Sequence, residues 1–345
     1  MGEHSVTEKI NNDISALNRF SAGRVAVIGD IMLDAYLWGA VNRISPEAPV
    51  PVVDVRRRSC CPGGAANVIR NLATLHGHAK AFGIVGNDAA GREVISLLKE
   101  YGSDVSGIIR SNDRRTTEKC RVVAGAQQLL RADFEDTAPI PEDVRDKLVR
   151  KVINLIRKKE IDAVIFDDYA KGVLCADMLK PIIKEARKHN IFTMLDPKPK
   201  AGGVTPVAGL TLLKPNRGEA FALAGINDPG PAATPAEDQP LLRAAEKIFE
   251  IWQPENLLIS LASQGMMLFP ANGVPQVIPT RAREVFDVSG AGDTVAAVCT
   301  LALATGCDVR QAAELANRAA GVVVGKIGTA PIIFDELLAE VSSNQ

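Results

Sequence analysis

Six short apolar runs separated by amphipathic stretches constrain this chain more than any other feature of its sequence. Residues 24–29 (RVAVIG), 79–85 (AKAFGIV), 162–167 (DAVIFD), 191–196 (IFTMLD), 210–214 (LTLLK) and 256–261 (NLLISL) are short, apolar and rich in β-branched residues. Such runs suit strands buried on both faces of a parallel sheet. Between and around them, residues 64–76, 89–101, 142–159, 176–189, 217–225 and 241–253 carry apolar side chains at helical spacing. Strands that alternate with helices predict an α/β fold: a doubly wound sheet flanked by helices on both faces. A length of 345 residues, 46% hydrophobic and 23% charged, fits one main domain over residues 1–345 with at most a small appendage.

Two stretches interrupt the alternation. Residues 50–57 and 116–134 read as extended without an intervening helix, the second turning at Ala124-Gly125-Ala126. They predict either a small β-sheet lid, from segments of about 35–60 and 113–135, or edge strands of the main sheet. Residues 226–240, rich in Pro, Ala and Gly, read as a surface loop. The last third holds strand-like LISLASQGMMLF and VPQVIP, the tight run DVSGAGDT, and two Ala-rich helical patterns at 292–305 and 309–325. Near the start, Ile10, Ile14, Leu17 and Phe20 recur at helical spacing and predict a short packed helix.

Composition sets bounds on partners. A formal net charge of -1 with interspersed signs creates no field for a nucleic-acid backbone. Residues 1–23 lack the apolar run of a signal peptide, and the longest apolar stretch, near 295–304, is far below the roughly 20 residues that span a bilayer. No membrane partner is expected. Six cysteines without CxxC spacing argue for a reduced, cytoplasmic setting. Cys60-Cys61 read as small residues in a turn before Pro62, and Arg56-Arg57-Arg58 as a solvated strand end.

Chemistry concentrates in Asp287-Val288-Ser289-Gly290-Ala291-Gly292-Asp293-Thr294, between an extended segment and a helix. Small residues there let a ligand approach the backbone, and free amides at a helix start attract an anion. The Gly-Lys-Ser/Thr ending of a Walker A loop is absent. An Asp in that first turn suits phosphoryl transfer, where a carboxylate can take the proton of an incoming hydroxyl. A tight turn with Asp293 as a helix cap has the same spacing.

This octet resembles the carboxyl-terminal signature of the PfkB, or ribokinase-like, carbohydrate kinases, and Gly63-Gly64-Ala65-Ala66-Asn67 resembles their amino-terminal glycine signature. The resemblance implies ATP and Mg²⁺ as cofactors, Asp293 as base, and the amides of Gly290, Ala291 and Gly292 as an anion hole. Asn216-Arg217-Gly218-Glu219 resembles the family's N-x-x-E segment, which implies that Asn216 and Glu219 organise Mg²⁺, through water, and the phosphates. By themselves these two residues also read as a helix cap with an acidic first turn. Ser260, Gly265, Asp287 and Asn317 fall at positions near the nucleotide, although Ala262 and Ser263 depart from the family's T-x-G-x-x-G stretch.

Residues 29–53, 116–122, 127–135 and 167–174 further resemble the family's heptose 7-phosphate kinase branch, over nearly the whole chain from about residue 24. The resemblance implies phosphorylation of the anomeric hydroxyl of a sugar phosphate. Asp34, Gly63, Gly64, Asn67, Asp168 and Lys171 would then meet the sugar, while Lys119, Arg121, Arg131, Lys171 and also Arg43 are candidates for its phosphate. Asp30 reads equally as a ligand or as a turn cap. A homodimer through the lid is implied. No T/S-x-x-H-x-G-H-type nucleotidyltransferase signature occurs, so a stand-alone kinase is expected. Another sugar or nucleoside kinase, or a non-catalytic sugar-phosphate sensor, has the same motifs open to it.

Overall fold

The computed structural model describes residues 3–125, 127–199, 203–281, 285–326 and 328–343. In chain order its first half runs α1 (Glu3–Asn18), β1 (Arg24–Gly29), β2 (Ile31–Ile44), β3 (Pro51–Gly64), α2 (Ala65–Thr74), β4 (His78–Gly86), α3 (Ala89–Glu100), β5 (Asp104–Ser111), β6 (Thr117–Ala124) and β7 (Gln127–Phe134). Then follow α4 (Glu142–Arg157), β8 (Ala163–Asp167), α5 (Ala176–Lys188), β9 (Phe192–Asp196), β10 (Leu212–Leu213), α6 (Arg217–Ala224) and α7 (Gln239–Trp252). The last third holds β11 (Asn256–Ser260), β12 (Met266–Pro270), β13 (Gln276–Ile278), α8 (Ala291–Ala304), α9 (Val309–Val323) and α10 (Phe334–Ser342).

The main sheet has the order β13-β12-β11-β10-β9-β8-β1-β4-β5, parallel from β11 to β5 and antiparallel at β12 and β13. Alternate residues of β1 feed opposite faces. Val25 and Val27 pack with α2, α3, α8 and α9, whereas Ala26 and Ile28 pack with α4, α5, α6 and α7. This explains the unbroken apolar character of RVAVIG: a central parallel strand has no solvent face. No helix among the described residues is long and apolar enough to cross a membrane.

The interrupting segments form a separate sheet, ordered β3-β2-β6-β7, with β2–β6 parallel and the outer pairs antiparallel. The edge-strand alternative is thereby excluded. Of the expected turn between β6 and β7, Ala126 lies outside the described residues. Cys60 and Cys61 do not make a turn; they pair with Ala35 and Asp34 inside β3, and Pro62 is accommodated because β3 is an edge strand. Nor is the arginine triplet simply solvated: Arg58 reaches Glu93 at 3.0 Å and the Arg57 guanidinium lies 5.0 Å from the Trp38 ring centroid.

Candidate active site

The register of the parallel strands brings their last residues into one row. Gly29 of β1 lies beside Asp167 of β8, Asp167 beside Asp196 of β9, and Lys214 follows β10 directly. The winding reverses between β1 and β8, and it is outside such carboxyl ends that open α/β sheets bind ligands. Asp293, in the first turn of α8, is buried and joins this row.

Its carboxylate is held from two directions. The Asn67 amide donates to Oδ2 at 2.6 Å, and the Tyr169 hydroxyl donates to Oδ1 at 2.8 Å. Burial raises the Asp293 carboxyl above its ordinary value, while these bonds and Lys214 pull the other way. Asp167 sits alongside with neither carboxyl oxygen hydrogen-bonded, and burial together with the Asp293 charge drives it well above the carboxylate range. Lys214 is ion-paired to Asp196 at 2.7 Å, and a Cβ placed on Gly292 would lie 3.7 Å from its Nζ. Its ammonium therefore sits at the amino end of α8, where the helix dipole already favours an anion.

Gly290 takes φ 81° as the residue preceding α8, a left-handed conformation that other residues adopt at a cost. The Ala291 amide, expected in the anion hole, donates to the Val288 carbonyl at 3.3 Å in this state. Asp287 holds the motif's other end, accepting from the amides of Ser289 at 2.9 Å and Gly328 at 3.1 Å.

Toward the small sheet, Asp34 is buried and takes Arg121 Nη1 at 2.7 Å. Gly63 is required here because a Cβ would approach Asp34 Oδ2 to 2.7 Å. Gly64 precedes α2, whose first turn carries Asn67; besides Asp293, Asn67 meets Arg70 through Oδ1 at 2.6 Å. The small sheet sets Lys119 between Asp34 and Asp133 in register, and Arg121 between Tyr36 and Arg131. Lys119 pairs with Asp133 at 3.2 Å and Lys171 with Glu135 at 2.6 Å. Arg131 is tied to Asp133 at 2.8 Å with its side chain half exposed, the outermost member of the group. Arg43 lies in the exposed end of β2, away from this group.

Two acids expected near ligands are turned to the backbone. Asp30 accepts from the amides of Tyr169, Lys171 and Val173 at 2.9, 3.1 and 3.4 Å, the turn-holding alternative. Asp168 accepts from the amides of Ala170 at 2.8 Å and Val204 at 2.9 Å. Asn216 and Glu219 make a reciprocal capping box at the start of α6, with bonds of 2.9 and 3.0 Å, and Glu219 also takes Lys198 at 2.7 Å. Ser260 bridges to Asn216 at the end of β11, Gly265 turns the chain into β12, and Asn317 of α9 donates to the Pro279 carbonyl at 2.7 Å. Sequence reasoning missed Tyr169, Asp167, Asp196 and Lys214. Only Lys214, directly before Pro215-Asn216, had a usable signal: a cation leading into the N-x-x-E segment.

Residues 22–334 match the family described as pfkB family carbohydrate kinase. Proteins named Bifunctional protein HldE are similar: 40% identical over 315 residues in Helicobacter hepaticus and 42% over 322 residues in Caulobacter sp., covering 91% and 92% of this chain. A third, from Desulfatibacillum aliphaticivorans, is 40% identical over 97% of this chain. The chain spans 63%, 63% and 66% of these three proteins, less than two thirds of their length. The fold matches Arabidopsis thaliana ribokinase complexed with ribose and ATP, with a TM-score of 0.68 at 19% identity, over 92% of this chain and 98% of that one. It also matches Escherichia coli phosphofructokinase-2 in complex with potassium, with a TM-score of 0.72 at 20% identity, over 93% and 98% of the two chains. By its sequence match from residue 22 to residue 334, this chain belongs to the pfkB family of carbohydrate kinases.

Proposed function

We propose that the chain transfers the γ-phosphoryl group of ATP to the anomeric hydroxyl of D-glycero-β-D-manno-heptose 7-phosphate, giving the 1,7-bisphosphate and ADP. The observation that carries this reading is the Asp293 carboxylate, oriented by Asn67 and Tyr169 at the start of α8 and close enough to the small sheet to feel the charge of Asp34, the partner of Arg121. The relatives named HldE, about 40% identical over nine tenths of the chain, favour the heptose acceptor.

In the step, Asp293 takes the proton of the anomeric hydroxyl while that oxygen bonds to the γ-phosphorus. The bond from phosphorus to the β–γ bridging oxygen breaks, and its electron pair leaves with ADP. A carboxyl raised by burial is a stronger base than an exposed one, which suits this role. The α8 amides of Gly290, Ala291 and Gly292, with Lys214, meet the negative charge that spreads over the phosphoryl oxygens. Ala291 would first release its bond to Val288.

Glu219 presents hard oxygens close enough to Asp196 and Lys214 to act on their charge, and Asn216 adds an amide oxygen beside it in the same capping box. That donor set suits a hydrated Mg²⁺ on the ATP phosphates rather than a protein cage, and the ion when bound supplies charge neutralisation. Ser260, Gly265, Asp287 and Asn317 would border the nucleotide. Asp34 and Asn67 would bind sugar hydroxyls. Lys119, Arg121 and Lys171, with Arg131 at the rim, would take the 7-phosphate, displacing acids that now neutralise them.

A panel of acceptors followed by ADP release tests the reading. Heptose 7-phosphate should exceed unphosphorylated heptose, ribose and fructose in kcat/KM by about two to four orders of magnitude. That is the worth of two charge-assisted contacts of roughly 1.5–3 kcal/mol each. Equal efficiency on the unphosphorylated sugars removes the heptose-phosphate acceptor and leaves the sugar kinase. In the same assay Asp293→Asn should lose at least ~100-fold in turnover while still binding ATP.

A further inference from the structure

Tyr169 and Asn67 are the two neutral donors on Asp293, one on each oxygen, and they arrive from unrelated parts of the fold. Asn67 comes with the first turn of α2. Tyr169 comes from the loop that leaves β8, and that loop is anchored far more heavily than a surface connection requires. Asp30, itself 2% exposed, accepts three of its amides, from Tyr169, Lys171 and Val173. Ala170 is held at φ 54° with its amide on Asp168. Arg114 donates to the carbonyls of Asp136 and Ala138 at 2.7 Å each, and also to that of Lys171, fastening the loop to the segment after β7.

We propose that Tyr169 is the positioning residue of phosphoryl transfer, its hydroxyl keeping Asp293 ionised and aiming the carboxylate's remaining lone pairs at the acceptor; this rests on Asp293 being the base. A tyrosine placed only to fill space would not need its hydroxyl on the buried carboxylate. Here the hydroxyl donates to Asp293, and the backbone that carries it is immobilised by a second buried carboxylate. Asp30 therefore acts on the reaction through Tyr169, without touching substrate.

The environment of Asp293 makes such a donor necessary. Asp34 on β2 and Asp196 at the end of β9 face it with like charge, burial raises its carboxyl further, and Asp167 at the end of β8 stands beside it with its own carboxyl driven well above the carboxylate range. Opposing them are Lys214 after β10, Asn67 on α2 and Tyr169. A hydrogen bond to the ionised form stabilises that form, so removing one raises the pH needed to ionise the base. The phenol keeps its proton throughout, because burial and the Asp293 charge push it well above its ordinary value.

The decisive measurement is the pH dependence of single-turnover phosphoryl transfer from ATP to heptose 7-phosphate, or to the fastest acceptor of the panel. In Tyr169→Phe the acid limb should move up by about 1 pH unit, with ATP affinity unchanged. With 3-fluorotyrosine at position 169, a stronger donor of nearly the same shape, the limb should move down; this variant decides the matter if the phenylalanine protein does not fold. A limb that stays in place overturns the proposal whatever the loss of rate, since a packing role lowers the rate equally at every pH. Asp293→Asn separates the two failures: if it turns over normally the base assignment falls, and if it is inactive while the limb is unmoved only the role of Tyr169 falls.

Discussion

Asp30, directly after β1, carries a carboxylate that faces backbone amides instead of solvent, and its protonation is therefore tied to folding. Burial pushes its carboxyl up to about 6 from 3.8, against the pull of the amides of Tyr169, Lys171 and Val173 and with help from the Asp168 charge. Because the folded value lies above the unfolded one, the folded state holds this proton more tightly. The stabilisation is fully present below about pH 4 and is lost as pH rises to about 6, at roughly 1.4 kcal/mol per pH unit in that window. Asp30→Asn removes the titration. Denaturant melts of both proteins near pH 5 and 6 should show the stability difference moving toward the wild type by about 1 kcal/mol on acidification. A difference that does not change with pH would show that Asp30 does not titrate there.

At the scale of elements, α6 is the clearest case of one local structure serving two purposes. Asn216 and Glu219 cap its start reciprocally, and N-terminal caps are worth about 1 kcal/mol. Their carboxylate and amide also sit where β10 and β11 end, beside the Lys214–Asp196 pair. Glu219→Gln distinguishes the roles, because glutamine keeps the capping box and loses only the charge. We expect its melting temperature to stay near that of the wild type while the Mg²⁺ concentration for half-maximal activity rises several-fold, with sugar KM little changed. An unaltered Mg²⁺ titration would leave Glu219 as a helix cap alone. The small sheet shows a comparable division between its faces: Asp34, Tyr36, Lys119 and Arg121 line one, while Leu33, Ala35, Leu37 and Val122 line the other.

At the scale of the whole molecule, that second face is only partly covered. α3 packs against β2 and β3 near Cys60, but Leu130 and Phe134 on β7 remain 53% and 47% exposed on the side that also carries Val122 and Leu37. A contiguous apolar patch on a small sheet favours covering by another surface. We propose that a second copy of the chain covers it, sheet against sheet, so that each lid is braced by its partner. Leu130→Arg with Phe134→Arg should convert a dimer into a monomer in sedimentation velocity. A wild type that sediments as a monomer at micromolar concentration would defeat this assignment.

What the sequence alone determined follows from local patterning. The parallel strands β1, β4, β8, β9 and β11 were readable because burial on both faces leaves an apolar run, and the amphipathic helices because one face is buried. The start of α8 with Asp293 was readable because the glycine run and the acid lie within eight residues. β2 and β5 were not: β2 begins buried and ends exposed, and β5 is a mostly half-exposed edge strand, so neither has one period of hydrophobicity. α10, only nine residues long, was likewise unmarked. The tertiary structure decided what each acid does. Asp30 and Asp168 turned to amides, whereas Asp293 met Asn67 and Tyr169 from 226 and 124 residues away. Those pairings depend on which strands lie side by side, and residue spacing carries no information about strand order. Asp167 gives the same lesson: in sequence it is one of two adjacent aspartates, but in the sheet it is a carboxyl without a hydrogen-bonding partner, placed beside Asp293 by the register of β1, β8 and β9.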